Sequence, residues 1–514
     1  MKNIFYKIGR LTLSLSLLAG AASCDDWFTV MPDTAMVAED FWKDKTDVES
    51  ELGACYRSML DGGFVGRLIA WGEVRSDNVL YNNPDKDTQD LMELNIKPTN
   101  GYTDWGNFYK TINYCNVLIQ KAPQVQANDP DFTEADLKGY MAEAKAVRAF
   151  CYFTLVRTFR NVPFITEPYL DDTRDYQVAQ TDGDEILRTL LADLQTVEDG
   201  ATVLFEENLS YTKARVTQKA LWTLMADMYL WLGEYGNAVT YCDKVLTTTS
   251  NPVQLVKSVN YFNNVFYNGF SHESLWELPF DSNTGNDDMN NFYGGSTNTA
   301  PRLIAYGYRD NLFTDRNQDL RYIGSFWRYS GDDEREVINK YVSYRRSISS
   351  SVSTNDFSRG DTRQRHWILY RMADVYLIKA EALACEGNLV DAAEAAAEVY
   401  NRATQSQGIR TFTTSSQSQL LDEIQDERRR EFLFEGKRYF DLMRRLRRTG
   451  DIQDIVNNYL SVRYKQMKME QSVYSSKLSS IAAFYLPINE NELKLNTLLE
   501  QNEFYKTSND FSKN

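Results

Sequence analysis

The chain has 514 residues, 43% hydrophobic and 25% charged, with a formal net charge of −16 at pH 7. Those proportions are globular, and the acid excess argues against a nucleic-acid surface. Two histidines and six scattered cysteines leave little material for a histidine metal site, a Ser/His triad or a disulfide framework.

The chain opens with Lys2, Lys7 and Arg10, an apolar stretch from Leu11 to Leu18, and the small residues Ala19-Gly20-Ala21-Ala22-Ser23. A charged end, an apolar core too short for a bilayer and a small-residue cleavage site make a secretory signal. Cys24 follows directly, with Asp25-Asp26 behind it. This order predicts a lipoprotein cut after residue 23 and acylated on the Cys24 thiol, although Ala21 stands where the usual lipobox has Leu. No later apolar run approaches the roughly 18 residues of a membrane span. Aromatics make up 13% of the chain, more than a core needs, and suit the binding of sugars or peptides.

Asp40 to Leu60 has helical periodicity and stops at Asp61-Gly62-Gly63. Residues 61–104 are broken by Gly and Pro, and Trp71 to Asn78 reads as a loop-like segment. A helix over Trp105 to Lys121 stops at Pro123. Three helix-pair segments follow, at Phe132 to Phe159, Thr217 to Leu246 and Tyr370 to Arg402. Ala226-Asp227-Met228-Tyr229-Leu230 returns as Ala373-Asp374-Val375-Tyr376-Leu377, and Gly233 and Ala238 return as Gly387 and Ala392. Glycine permits the turn and alanine the close helix contact, so the plan resembles divergent tetratricopeptide (TPR) repeats. Residues 251–362 lose this periodicity, and Ser274 to Leu278 alternates like a short strand. An irregular insertion of this length in a helical scaffold points to function. The single cysteines read as buried small hydrophobes.

Ile424 to Arg445 is the most specific segment: a charged helix, a break at Gly436, and a second helix whose Tyr439 and Phe440 pack inward. Glu427 with Arg430, and Arg438 with Asp441, have the spacing of helix-face ion pairs. Glu427-Arg428-Arg429-Arg430-Glu431 through Glu435-Gly436-Lys437-Arg438-Tyr439-Phe440-Asp441-Leu442 resembles the hallmark of SusD/RagB-family outer-membrane lipoproteins. Ala144 to Phe150 with Asn161-Val162-Pro163, Arg371 to Ala382, and Leu486-Pro487-Ile488 with Gln501-Asn502 extend the resemblance over the mature chain. Arg160 departs from it, standing where the family often has Gly.

The resemblance implies a mostly α, SusD-like fold, a TPR-like helix-pair scaffold with an irregular loop-rich insertion. Residues 1–23 would be the signal, 24–250 an N-terminal part, 251–362 a ligand-binding insertion and 363–514 a C-terminal part. It implies a lipid-anchored protein of the cell outer membrane, facing outward, that binds nutrient oligomers and acts as a lid on a SusC-like TonB-dependent transporter. No catalytic residue, cofactor or nucleic-acid partner is implied. Flat rings stack on sugars while amides and acids bond hydroxyls, which makes Trp71, Asp77, Asn78 and Tyr81 ligand candidates in the first loop region. Tyr293, Tyr306, Tyr308, Trp327 and Tyr329 are the candidates in the insertion. Trp105, Trp222 and Trp231 are assigned to the core. Asp281 to Asp288 lacks the Gly and Glu of an EF-hand loop, and Asp315 to Asp319 fails likewise, so no metal site is expected. Glycans are the favoured ligand. A peptide-binding, RagB-like protein, an exported glycoside hydrolase and a TPR adaptor are the alternatives.

Overall fold

The computed structural model describes residues 41–170, 175–206, 208–294, 300–306, 312–314, 318–328, 335–345, 357–359 and 361–506. For residues 306, 323, 327, 328, 335, 336, 343–345 and 357–359 the description is of the backbone alone. The first helix, α1 (Lys45–Met59), starts later than its periodicity predicts. Asp44 caps it, forming a reciprocal pair of bonds with the helix's first turn through Asp47.

The segment expected to be a loop is helical over its first half, Trp71 to Val74, and irregular over Arg75 to Asn78. α2 (Phe64–Ile69) runs straight into a π turn over Ala70–Val74, and all five residues of that turn are buried. α3 (Gly106–Gln126) runs one turn beyond its expected stop. Pro123 lacks an N–H only near the end of that helix, and its carbonyl still accepts from Ala127. α4 (Glu134–Phe159) begins at a capping box of Thr133 and Asp136. α5 (Gly183–Gln195) follows, capped by Asp182.

The two Gly-centred repeats fold as their sequence suggests. α6 (Gln218–Leu232) turns at Gly233, φ 77°, into α7 (Tyr235–Thr247). α8 (Met372–Glu386) turns at Gly387, φ 85°, into α9 (Leu389–Ala403). Both glycines occupy the left-handed region that lets a helix end within one residue. α10 (Gln417–Glu431) and α11 (Arg438–Thr449) complete the scaffold.

Neighbours stack in order: α1 on α3, α3 on α4, α4 on α5 and α6, α6 on α7, α7 on α8, and α8 with α9 on α10. Ala142, Ala144, Ala146 and Ala149 of α4 are fully buried, as are Ala373, Ala380 and Ala384 of α8. Small side chains at these contacts let the helix backbones approach, which is the basis of the TPR-like pairing. The described cysteines are free, and all but half-buried Cys385 are buried.

Short strands hang from the scaffold. β1 (Leu80–Tyr81) lies in the first loop region; β2 (Val162–Pro163) pairs with β3 (Gln180–Thr181). The insertion supplies β4 (Ser274–Leu278), β5 (Leu303–Tyr306), β6 (Phe326–Arg328), β7 (Arg335–Ile338), β8 (Ser343–Arg345) and β9 (Phe357–Arg359). β10 (Trp367–Arg371) pairs antiparallel with β4 and leads directly into α8. Tyr370 therefore belongs to a strand rather than to the third helix pair. β4 is buried throughout, so its alternating sequence does not report a solvent face. No described helix is long and apolar enough to cross a membrane.

Candidate ligand surface and the joint that holds it

One sheet unites the two regions singled out for ligand contact. Its strand order is β1–β5–β7–β6, all antiparallel, so β1 from the first loop region pairs with β5 and so joins a sheet with three strands of the insertion. Leu80 lies opposite Ile304 and Tyr81 opposite Leu303. Further along, Tyr306 lies opposite Arg335 and Trp327 opposite Val337. Leu80, Ile304 and Val337 form a small apolar cluster, with Met467 packed against it. The register and the alternation of each strand place Tyr306 and Trp327 on the face that carries Leu80, Ile304 and Val337, and Tyr81 on the opposite face.

The rim beside β1 is polar. Half-buried Tyr81 bonds through its hydroxyl to Glu93, and burial followed by that carboxylate raises the phenol above its ordinary pKa. Asn82 donates its N–H to the Arg302 carbonyl and its amide to the Pro301 carbonyl. Arg302 pairs with Asp85 at 2.8 Å and donates to the Tyr102 hydroxyl at 3.0 Å, its guanidinium 5.2 Å from the Phe292 ring centre. Tyr308, Tyr329 and Cys24 lie outside the described residues.

Four other candidates are turned inward. Trp71 is 1% exposed, donates its indole N–H to the Tyr102 carbonyl at 2.8 Å, and packs edge-on against Phe159 at 5.5 Å. Asp77 is paired with Arg438 at 2.7 Å and Arg429 at 3.1 Å. Burial alone would raise its carboxyl, but Arg429 and Arg438 outweigh it and hold the group at about 2. Asn78 donates to Glu73 and accepts from Arg429, both at 2.9 Å. Tyr293 is fully buried, its ring 6.3 Å from Phe434. These residues join the scaffold and are not reachable by a ligand.

The physical reason is the Ile424 to Arg445 segment. A Cβ on Gly72 would sit 1.7 Å from the Gly436 carbonyl oxygen, so the π turn meets this segment backbone to backbone. Gly436 itself holds a φ of 69°. Its N–H donates to Glu73, whose carboxyl burial pushes up to about 7 despite that bond and the one from Asn78. The expected Glu427–Arg430 pair forms at 2.8 Å. The expected Arg438–Asp441 pair does not. Arg438 reaches Asp77, while Asp441 takes Arg428 and Arg444, each at 2.8 Å.

The same segment grips the insertion. Arg321, just before β6, bonds Asp319 at 2.8 Å, Glu427 at 2.6 Å and Glu431 at 3.0 Å. Lys340, just after β7, bonds Glu435 at 2.6 Å and the Glu431 carbonyl at 2.8 Å. Arg371, at the β10–α8 junction, touches Glu273, Glu431 and Glu435 within 2.7 Å. Arg402 of α9 pairs with Glu273 at 2.6 Å and also with Glu431. Burial would raise Glu435, yet Arg371 and Lys340 hold it at about 2; Lys340 itself is pushed down to about 8 by burial. Buried charges persist only where each finds partners, so this joint sets where β6 and β7 lie.

The acidic loop is likewise structural. Asp281 accepts from the N–H groups of Asn283 and Thr284, and Asp288 from those of Gly63 and Gly66. No group of residues able to hold a metal ion occurs among the described residues.

A helical scaffold of this plan, carrying a sheet shared between a loop and an insertion, defines a SusD-like fold. A family model described as SusD family matches residues 233–505, and one described as "Starch-binding associating with outer membrane" matches residues 27–230. The chain belongs to the SusD/RagB family. It is 27% identical over 493 residues to SusD-like protein P38 of Formosa agariphila, covering 86% of this chain and 92% of that one. SusD-like protein P25 of the same organism is 23% identical, covering 97% and 98%. A SusD homolog from Bacteroides thetaiotaomicron superposes with a TM-score of 0.70 at 24% identity, over 91% of this chain and 100% of that one. A solved structure titled "Laminarin binding SusD-like protein" gives a TM-score of 0.68 at 22% identity, over 90% and 99%.

Proposed function

We propose that this protein captures glycan oligomers at the outer surface of the cell, held by a lipid on Cys24, and passes them to a SusC-like TonB-dependent transporter. It acts by binding, without covalent chemistry. The observation that carries this reading is the sheet joining β1 to β5, β7 and β6. It places Tyr306 and Trp327 at positions on one face, the face whose register continues to Asn82 and Arg302 at the end of β1 and β5, with Tyr81 on the other face beside Glu93. Rings supply stacking surfaces and the rim supplies hydrogen bonds, the mixture that hydroxyl-rich ligands require. The laminarin-binding relative and the starch-binding family description support the ligand class.

Affinity electrophoresis of the detergent-solubilised protein through gels containing laminarin, starch or other neutral glycans tests the ligand. Retardation by at least one glycan, lost in Trp327→Ala, is expected. Retardation by none, with the protein folded, sinks the ligand class. Cross-linking in intact cells tests the second half, which fails if no outer-membrane barrel is captured.

A further inference from the structure

A cavity of about 530 Å³ shares no lining residue with the sheet β1–β5–β7–β6. It lies between α3, the chain after β2, and the short helix Glu490–Leu495. Four rings line it, Trp105, Tyr109, Tyr169 and Tyr176, together with the carboxyls of Asp175 and Glu492. No lysine or arginine is among its lining residues. Trp105 is a core residue by exposure, at 3%, yet it contributes to this wall.

The amides in the cavity wall are already engaged. Asn113 donates to the Tyr169 carbonyl and accepts its N–H. Asn116 donates to the Ile165 carbonyl and accepts from Arg148. Gln177 donates to the Leu495 carbonyl and accepts from the Thr497 N–H, while Asn496 donates to the Val178 carbonyl. These bonds stitch the cavity walls together. Tyr169 and Tyr176 stack on each other at 4.7 Å, so the wall presents a paired ring surface together with two acidic residues.

Glu492 is the charged centre of this wall. Burial raises its carboxyl above the ordinary range, a hydrogen bond with Trp105 opposes that, and the charge of Asp104 adds to it. A carboxylate in that setting gains from an incoming cation. In the cavity lining the apolar side chains of Tyr176 and Leu495 are 50% and 73% exposed. Exposed apolar groups gathered at a cavity mouth mark a contact surface.

We propose that this cavity binds an organic cation, an ammonium or guanidinium group on an apolar stem. Ring faces attract a cation lying within about 6 Å of their centres, and a neighbouring carboxylate completes the recognition. The chemistry is shared by free amines such as agmatine and by arginine or lysine side chains within a peptide. The exposed Leu495 in its lining favours the peptide source. This site is independent of the glycan surface, and either can fail without the other.

Titration calorimetry of the detergent-solubilised full chain with three probes tests it: agmatine, Ac-Leu-Arg-Leu-NH2 and Ac-Leu-Gln-Leu-NH2. The arginine peptide is expected to bind about tenfold more tightly than the glutamine peptide. Glu492→Gln, which keeps an oxygen to accept from Trp105, should weaken both cationic probes by about tenfold. Leu495→Ser, at a 73% exposed position, should weaken the peptide several-fold and leave agmatine unchanged, which assigns the peptide source. Equal weakening of both, or none, assigns the free amine. If Glu492→Gln does not fold, Tyr176→Ser at its half-exposed position replaces it, with the same loss expected. The proposal is overturned if the neutral peptide binds as tightly as the arginine peptide, or if neither cation binds at about 5 mM. It is equally overturned if a folded Glu492→Gln, or Tyr176→Ser in its place, binds both cations as the parent does.

Discussion

Residues 61–104 and 251–362 look alike in sequence, both irregular and rich in rings and amides, yet the fold uses them differently. Trp71 to Asn78 is drawn inward and closed by arginines from the far end of the chain, Arg429 and Arg438 on Asp77 and Arg463 on the carbonyls of Val74 and Ser76. The insertion is anchored at Arg321 and Lys340, on either side of the β6–β7 pair, and its strands then extend the sheet that begins at β1. An aromatic and amide-rich composition therefore does not say which way a segment faces. Where the partner charges arrive decides it: on Asp77 within the first segment, and on Arg321 and Lys340 at the two ends of the β6–β7 pair in the insertion.

The sharpest way to break this contrast is at the backbone contact. Gly72→Ala places a Cβ 1.7 Å from the Gly436 oxygen. A loss of more than about 4 kcal/mol is expected, read as failure to accumulate trypsin-resistant protein. A folded, stable variant would show that the π turn is not fastened there. Asp77→Ala leaves Arg438 and Arg429 facing an empty acid position and should cost about 3–5 kcal/mol in urea unfolding. Glycan affinity per folded molecule should stay unchanged, since Asp77 is assigned to the joint. Lost affinity at undiminished stability would return it to the ligand surface.

The joint also predicts a pH profile. Asp77, Glu381 and Glu435 are each held at about 2 in the fold, against ordinary values of 3.8, 4.5 and 4.5. The unfolded chain takes up their protons first, so their stabilisation is complete above the ordinary values and disappears as pH falls towards 2. Glu51 and Glu73 are raised to about 7, so between 7 and 4.5 the folded state holds more protons and acidification strengthens it. Unfolding midpoints measured across pH should peak near about pH 5. A profile falling steadily from pH 7 would contradict the assignment of Glu51 and Glu73.

Trp327→Ala sharpens the other side of the comparison. About 2 kcal/mol of glycan binding, roughly thirtyfold in affinity, should be lost with little change in melting temperature. The smallest effect is expected at Arg160, the C-cap of α4, which holds a φ of 72° with a ψ of −71°. Arg160→Gly should raise stability by about 1 kcal/mol in urea unfolding, because glycine adopts that conformation without strain. Lowered stability would mean that the arginine side chain contributes more than its backbone costs.

Much of the scaffold was legible in the chain. Alanines at helical spacing and glycines at the turns report short-range requirements, and Gly233, Gly387 and Gly436 sit at the left-handed positions where their neighbours place them. The charged Ile424 to Arg445 segment announced itself by composition, and the Glu427–Arg430 pair by its spacing. The Asp77 partner of Arg438 and the Glu427 partner of Arg321 were not legible, because they lie 361 and 106 residues away. The cavity escaped for the same reason: its rings and carboxyls come from three separated segments, none of which carries the pattern alone. Local sequence determines helices, caps and turns because hydrogen bonds and steric limits act over a few residues. Which acids are buried, which rings face out and where a cavity closes depend on charges and surfaces meeting across the folded chain, and only the tertiary structure decides that.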